Sequence, residues 1–213
     1  MINGDDNVNT FHIFKKLTDR KPSLMDGKKF KKYAILIPLV EIEGEIHLLF
    51  EVRSLKMRSQ PGDVCFPGGR VDQDDASIMQ SAVRETTEEL GVNASTIKHI
   101  YPLDYFISND RRLIYPFVGK LTNLDDIDIN QEEVHEIFTV PLSFFTHTEP
   151  KKYKINFEVV PERNFPYELI QNGENYEWRT REMDELFYVY GERVIWGLTA
   201  KIISHFMEVI RTE

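Results

Sequence analysis

Hydrophobic and polar positions alternate between two rhythms along this chain, and the change of rhythm marks its elements. Tyr33 to Val40 is apolar almost throughout and reads as a buried strand, turned back at Gly44 into a second strand over Ile46 to Val52. Ile97–Asp104 and Tyr115–Leu121 read as further strands, with a turn at Ser108-Asn109-Asp110 between them. Glu136–Val140 reads as a strand ending at Pro141, Phe144–Phe145 starts a shorter helical or irregular piece, and Tyr153–Val160 reads as another strand. Helical spacing predicts a short helix over Phe11–Leu17 and a closing helix over Ile195–Ile210, carrying Leu198, Ile202, Phe206, Val209 and Ile210. Leu124 to Asn130 reads as a solvated loop, and no internal repeat is visible.

Between these strands, Ile78, Met79, Ala82, Val83, Thr86 and Leu90 form an apolar stripe at helical spacing, stopped by Gly91. Glu85, Glu88 and Glu89 fall within an arc of about 100° on one side of the same helix. Like charges three and four residues apart destabilise a helix by about 0.2–0.5 kcal/mol per pair, and Arg84 alone faces all of them. A hard cation such as Mg²⁺ or Mn²⁺, which takes oxygen ligands and bridges carboxylates to phosphates, would neutralise the cluster. Upstream, Pro67-Gly68-Gly69 forms a loop that lets backbone approach a ligand, and Asp72, Asp74 and Asp75 precede the helix, where anions are favoured. The bland alternative is a solvated acidic face.

Arg84-Glu85-Thr86-Thr87-Glu88-Glu89-Leu90-Gly91-Val92 after a double glycine resembles the signature of the Nudix hydrolases, G-x5-E-x7-R-E-U-x-E-E-x-G-U. Three departures stand out: the spacing from Gly69 to Arg84 is one residue longer, the apolar position after R-E is Thr86, and Asp75 replaces the first Glu. Leu49 to Gly69 is similar to a motif of the coenzyme A diphosphatases, L-L-T-x-R-S-x3-R-x3-G-x3-F-P-G-G. Arg53, Ser54, Arg58, Gly62, Phe66, Pro67, Gly68 and Gly69 are in register, whereas Phe50 and Glu51 stand where that family has Leu and Thr. Ile195-Trp196-Gly197-Leu198-Thr199-Ala200 resembles a run near the end of the same family.

The resemblance implies an α/β (α+β) fold, a Nudix-like α/β/α sandwich with a mixed central sheet and a loop-helix-loop catalytic box. It implies a Mg²⁺- or Mn²⁺-dependent hydrolase that splits the diphosphate of coenzyme A or its derivatives into 4′-phosphopantetheine and 3′,5′-ADP. By analogy the catalytic residues are Arg84, Glu85, Glu88 and Glu89, with metal ligation at Glu85, Glu89 and Glu88, the last as third ligand or base. Glu133 and Glu136 are further candidates for the base, and Arg53, Arg58, Gly68 and Gly69 for substrate contact. The alternatives are another nucleoside diphosphate derivative, such as ADP-ribose or a dinucleoside polyphosphate, or a Nudix-like domain that binds without turnover.

Length sets the domain expectation: of 213 residues, 1–30 read as an N-terminal helical extension and 31–213 as one catalytic domain including the closing helix. A net charge of −9 gives no general attraction to nucleic acid or anionic membrane, so a small anionic substrate needs local basic groups such as Arg53, Lys56 and Arg58. The polar start Met1–Asp6, the lack of a long apolar segment and the single Cys65 make a cytoplasmic, disulfide-free protein the expectation. Cys65 and Trp196 read as packing residues, and homodimerisation is left open.

Overall fold

The computed structural model describes residues 10–108 and 111–211. The polar start Met1–Asp6 and two residues of the turn expected near Ser108, Asn109 and Asp110, lie outside the described residues. In chain order the elements are α1 (Thr10–Leu17), β1 (Lys31–Ile42), β2 (Glu45–Arg53), β3 (Val64–Cys65), β4 (Gly68–Arg70), α2 (Ile78–Leu90), β5 (Ile97–Pro102), β6 (Phe106–Ile107) and β7 (Arg112–Leu121). They continue with β8 (Val134–Pro141), α3 (Leu142–His147), β9 (Lys151–Phe157), β10 (Arg181–Tyr190), β11 (Arg193–Trp196) and α4 (Gly197–Arg211).

A mixed sheet forms the middle layer. β1 runs parallel to β7 and antiparallel to β2, β2 pairs with β3 and β8, and β5 and β6 pair with β7. One edge of β1 is shared: Tyr33, Ala34 and Ile35 pair with β4, while Leu39 to Ile42 pair with β2. The double glycine is therefore part of the sheet rather than a free loop.

The two-residue alternation of β1 and β2 divides the core. Ala34, Leu36, Val40 and Leu49 pack with Ala82 and Leu90 of α2 on one face. Ile37, Leu48 and Phe50 pack with Phe145 of α3 and Ile202, Ile203, Phe206 and Met207 of α4 on the other. Helices thus cover both sides of the sheet, giving the α/β/α layering.

Three expectations change. The predicted closing helix begins only at Gly197, whose φ of 62° breaks the run, and Arg193–Trp196 instead forms β11. β10, with Glu182, Asp184 and Glu185 among its residues, joins β9 and β11 in a separate three-stranded sheet, and β9 stops at Phe157. Met79 is exposed, while Ser81 and Glu89 are buried, so the inward arc of α2 is centred on Ala82, Thr86 and Leu90.

The segment expected to be a solvated loop caps α2. Its backbone N–H groups at Asp128 and Asn130 donate to the carbonyls of Leu90 (3.1 Å) and Glu89 (2.9 Å), and Ile127 and Ile129 lie against the core. Gly91 ends the helix at φ 65°, and a Cβ there would stand 2.0 Å from the Asp128 carbonyl oxygen. Gly91→Ala is accordingly expected to cost about 3 kcal/mol and to lower the melting temperature by roughly 10 °C. A melting curve coinciding with that of the wild type would contradict this account of the cap.

Candidate functional site

The candidate site lies where β2, β4 and α2 meet. Ser77 caps α2 by accepting the Gln80 N–H at 3.1 Å, which fixes the start of the helix and hence the direction of its side chains. About two turns later Arg84 reaches back over the loop. Its Nε and Nη2 hold Asp75 at 2.9 and 3.2 Å, Nη2 also meets Glu85 Oε1 at 2.9 Å and the Arg70 carbonyl at 3.2 Å, and Nη1 holds Glu88 at 3.0 Å. Asp75, in turn, accepts the Asp72 N–H at 2.9 Å. The Arg84 guanidinium and the Asp72 N–H hold the Asp75 carboxyl well below the usual range, and Asp75 raises Arg84 in return. Asp75 thus works as the anchor of Arg84.

Glu89 is 3% exposed, and its Oε2 accepts the Gly68 N–H at 2.7 Å. Glu85 lies against Gly69 so closely that a Cβ on that glycine would stand 2.4 Å from its carboxyl carbon. Gly68 is therefore required by its close approach to the Ala34 carbonyl, whereas a Cβ on Gly69 would displace the end of the Glu85 side chain. Glu88 is half exposed at the rim, paired with Arg84.

Sequence reasoning passed over Glu51. It shares the face of β2 with Leu49, two residues earlier, and so points toward α2 rather than away from it. Cys65, paired with it across β2 and β3, donates its thiol to Glu51 Oε1 at 3.2 Å. The period of two from Leu49 was the signal available. Ser54 was noted only as part of a motif: its N–H donates to the Glu133 carbonyl at 2.8 Å and its hydroxyl to that of Gln131 at 3.2 Å, tying the 130–134 segment to the site.

The other charged candidates differ in what holds them. Glu136 makes a two-pronged pair with Arg193 at 2.6 and 2.8 Å, which lowers its pKa. Lys56 is paired with Glu132, and Arg58 is exposed on the loop. Arg53 turns its Nε to the Ser59 carbonyl at 3.4 Å, yet its charge still lowers the Glu51 pKa. Glu133 is half-buried and raises the pKa values of Glu51, Glu85 and Glu89.

Burial, then mutual repulsion, defines the electrostatics. Burial pushes Glu51 up to about 7, Cys65 and Arg53 pull it back, and Glu133 and Glu85 push further. Burial and the Glu51 charge hold Glu89 well above the ordinary range, against the Gly68 N–H. Glu85 is raised by burial and lowered by Arg84. Burial and the Glu51 carboxylate also push the Cys65 thiol up, which makes it a weak nucleophile.

An oxygen-only donor set with more negative charge than Arg84 can balance fits a hard divalent cation. Among the described residues no three His, Cys, Asp or Glu side chains converge into a ready-made cage.

A pH dependence follows. Carboxyl groups raised on folding favour the folded state fully below their ordinary pKa of 4.5, and lose that contribution as pH rises toward the folded value, about 7 for Glu51. In EDTA the melting temperature is expected to fall by on the order of 5 °C between pH 5 and pH 8, and added Mg²⁺ should restore it at pH 8. Asp75, shifted the opposite way, contributes above its ordinary pKa and loses only at lower pH. A flat profile, unaltered by Mg²⁺, would contradict the account.

Residues 30–163 match the NUDIX domain. The peroxisomal coenzyme A diphosphatase NUDT7 of Mus musculus is 36% identical over 118 residues, covering 55% of this chain and 50% of that protein, so the match spans half of that relative's length. The uncharacterized Nudix hydrolase NudL of Photorhabdus laumondii is 30% identical over 212 residues, 99% of this chain and 100% of that protein. A MutT/nudix family protein from Enterococcus faecalis has a TM-score of 0.52 at 13% identity, covering 97% of this chain and 71% of that one, a likeness of fold alone. Among the described residues no helix is long and apolar enough to cross a membrane.

Proposed function

Because this chain belongs to the NUDIX domain family, we propose that it is a hydrolase acting on diphosphates and that it cleaves the diphosphate of coenzyme A or a coenzyme A derivative, releasing 4′-phosphopantetheine and 3′,5′-ADP. One observation carries the choice of substrate. The segment from Leu49 to Gly69 that resembles the coenzyme A diphosphatase motif runs from the strand of Glu51 to the glycines touching Glu85 and Glu89. The mouse relative, itself named a coenzyme A diphosphatase, supports the same reading.

In this reading residues 31–213 form the catalytic unit, residues 1–30 an extension, and the reaction is cytoplasmic. Glu85 and Glu89 would hold Mg²⁺ or Mn²⁺, with Glu88 at the rim. The ion supplies Lewis-acid stabilisation of charge on the phosphoryl oxygens. Arg84 keeps the Glu85 and Glu88 carboxylates in place by charge-assisted hydrogen bonds. Gly68 and Gly69 stand beside Glu89 and Glu85, where the diphosphate would contact their backbone. Arg53 and Arg58 offer positive charge to the substrate's phosphates. Of the carboxylates considered for taking the attacking water's proton, Glu136 is neutralised by Arg193 and Glu88 by Arg84. Glu133, held near the cluster by Ser54, is the base in this reading.

A panel of coenzyme A, acetyl-coenzyme A, ADP-ribose and diadenosine tetraphosphate, each with Mg²⁺, tests the proposal. Coenzyme A or its thioester is expected to have the highest kcat/KM. Preferred turnover of ADP-ribose or diadenosine tetraphosphate would overturn the substrate choice.

A further inference from the structure

Glu51 is the carboxylate for which the polypeptide provides least. It is 1% exposed, its Oε1 has only the Cys65 thiol, and its Oε2 is buried without a hydrogen-bond partner. A thiol is a weak donor, and a buried carboxylate oxygen left without a partner is strongly unfavourable in a native interior. No Lys or Arg makes an ion pair with Glu51 among the described residues, because Arg84 is committed to Asp75, Glu85 and Glu88 and Arg53 is turned to Ser59. Among the described residues nothing satisfies Oε2.

The strand decides where that oxygen points. Glu51 lies on the Leu49 face of β2, beneath α2, and its charge acts on Glu89 while those of Glu85 and Glu133 act on it. A structural carboxylate here would need a donor on each oxygen, and a solvated one would need exposure. Glu51 is buried and has the Cys65 thiol on Oε1 alone. The motif that this segment resembles has Thr where Glu51 stands.

We infer that Glu51 is an additional metal-ligating carboxylate, presenting its unpartnered Oε2 to the divalent cation held by Glu85 and Glu89. The inference rests on the metal-dependent reading above and extends it to a residue on the strand side of the site. With ligands on both β2 and α2, the ion would clamp sheet to helix. Cys65 then orients Glu51 by holding Oε1, leaving Oε2 for the metal.

Mn²⁺ titration of the full chain at pH 7.5, read by loss of the free-ion electron paramagnetic resonance signal, tests this without any turnover. Glu51→Gln keeps the shape and removes the charge. It is expected to weaken Mn²⁺ binding by at least about tenfold, while melting in EDTA at or above the wild-type temperature because one repelling carboxylate is gone. Should the Gln variant fail to fold, Glu51→Thr carries the same expectation. Unchanged Mn²⁺ affinity in a variant that melts cooperatively would overturn the role of Glu51 alone. Absence of Mn²⁺ binding by the wild type would overturn both this inference and the metal-dependent reading.

Discussion

Glu89→Gln is expected to lower kcat on the diphosphate substrate by about 10³-fold while leaving the protein folded, because it takes a negative charge from the metal without changing shape. The amide oxygen can still accept the Gly68 N–H that Glu89 Oε2 accepts at 2.7 Å. The cost to the fold is small, since Glu89 is buried with a pKa well above the ordinary range and the neutral side chain relieves repulsion from Glu51 and Glu85. Circular dichroism and melting in EDTA would establish folding, and steady-state assays with Mg²⁺ would give kcat. A folded variant retaining more than a tenth of wild-type kcat would remove Glu89 from the catalytic set. Loss of the fold instead would show that the carboxylate serves the architecture.

Arg84→Lys is the second large effect, expected near 10²-fold in kcat, although it conserves charge. The guanidinium engages Asp75 through two nitrogens and at the same time reaches Glu85, Glu88 and the Arg70 carbonyl. An ammonium has three donors around one atom and cannot span that set. Glu85 would then lose the partner that opposes its burial and drift from Gly69. A displaced ligand lowers metal affinity, so raising Mg²⁺ is expected to recover part of the loss in Arg84→Lys. If kcat at ordinary Mg²⁺ equals that of the wild type, the fork geometry is irrelevant and Arg84 acts only as a charge.

The strands over Tyr33–Val40 and Ile46–Val52 and the box helix were legible because each buries one or two faces and so shows a clean period. β10 was not, because Glu182 and Asp184 occupy a half of the strand that pairs with exposed β9 and buries little. The capping segment around Asp128 was read as solvent-facing from its acids, although what matters there is backbone N–H groups, which leave no trace in composition. In the site, Arg84, Glu85, Glu89 and the glycines were legible from spacing. The unequal burial of the three helix carboxylates was not, since an arc on a helical wheel does not say where the sheet lies. Glu51 was hidden for a related reason: one acid in an apolar strand looks outward until Leu49 shows which face is inward.

Hydrolysis of coenzyme A by the wild-type chain with Mg²⁺ in ¹⁸O-enriched water, followed by mass analysis, tests the central claim most directly. The account predicts 4′-phosphopantetheine and 3′,5′-ADP, with one ¹⁸O in one of the two phosphate products, formed about 10³-fold more slowly when Glu89→Gln replaces the wild type. Coenzyme A recovered intact from a folded, metal-binding wild-type protein would contradict it.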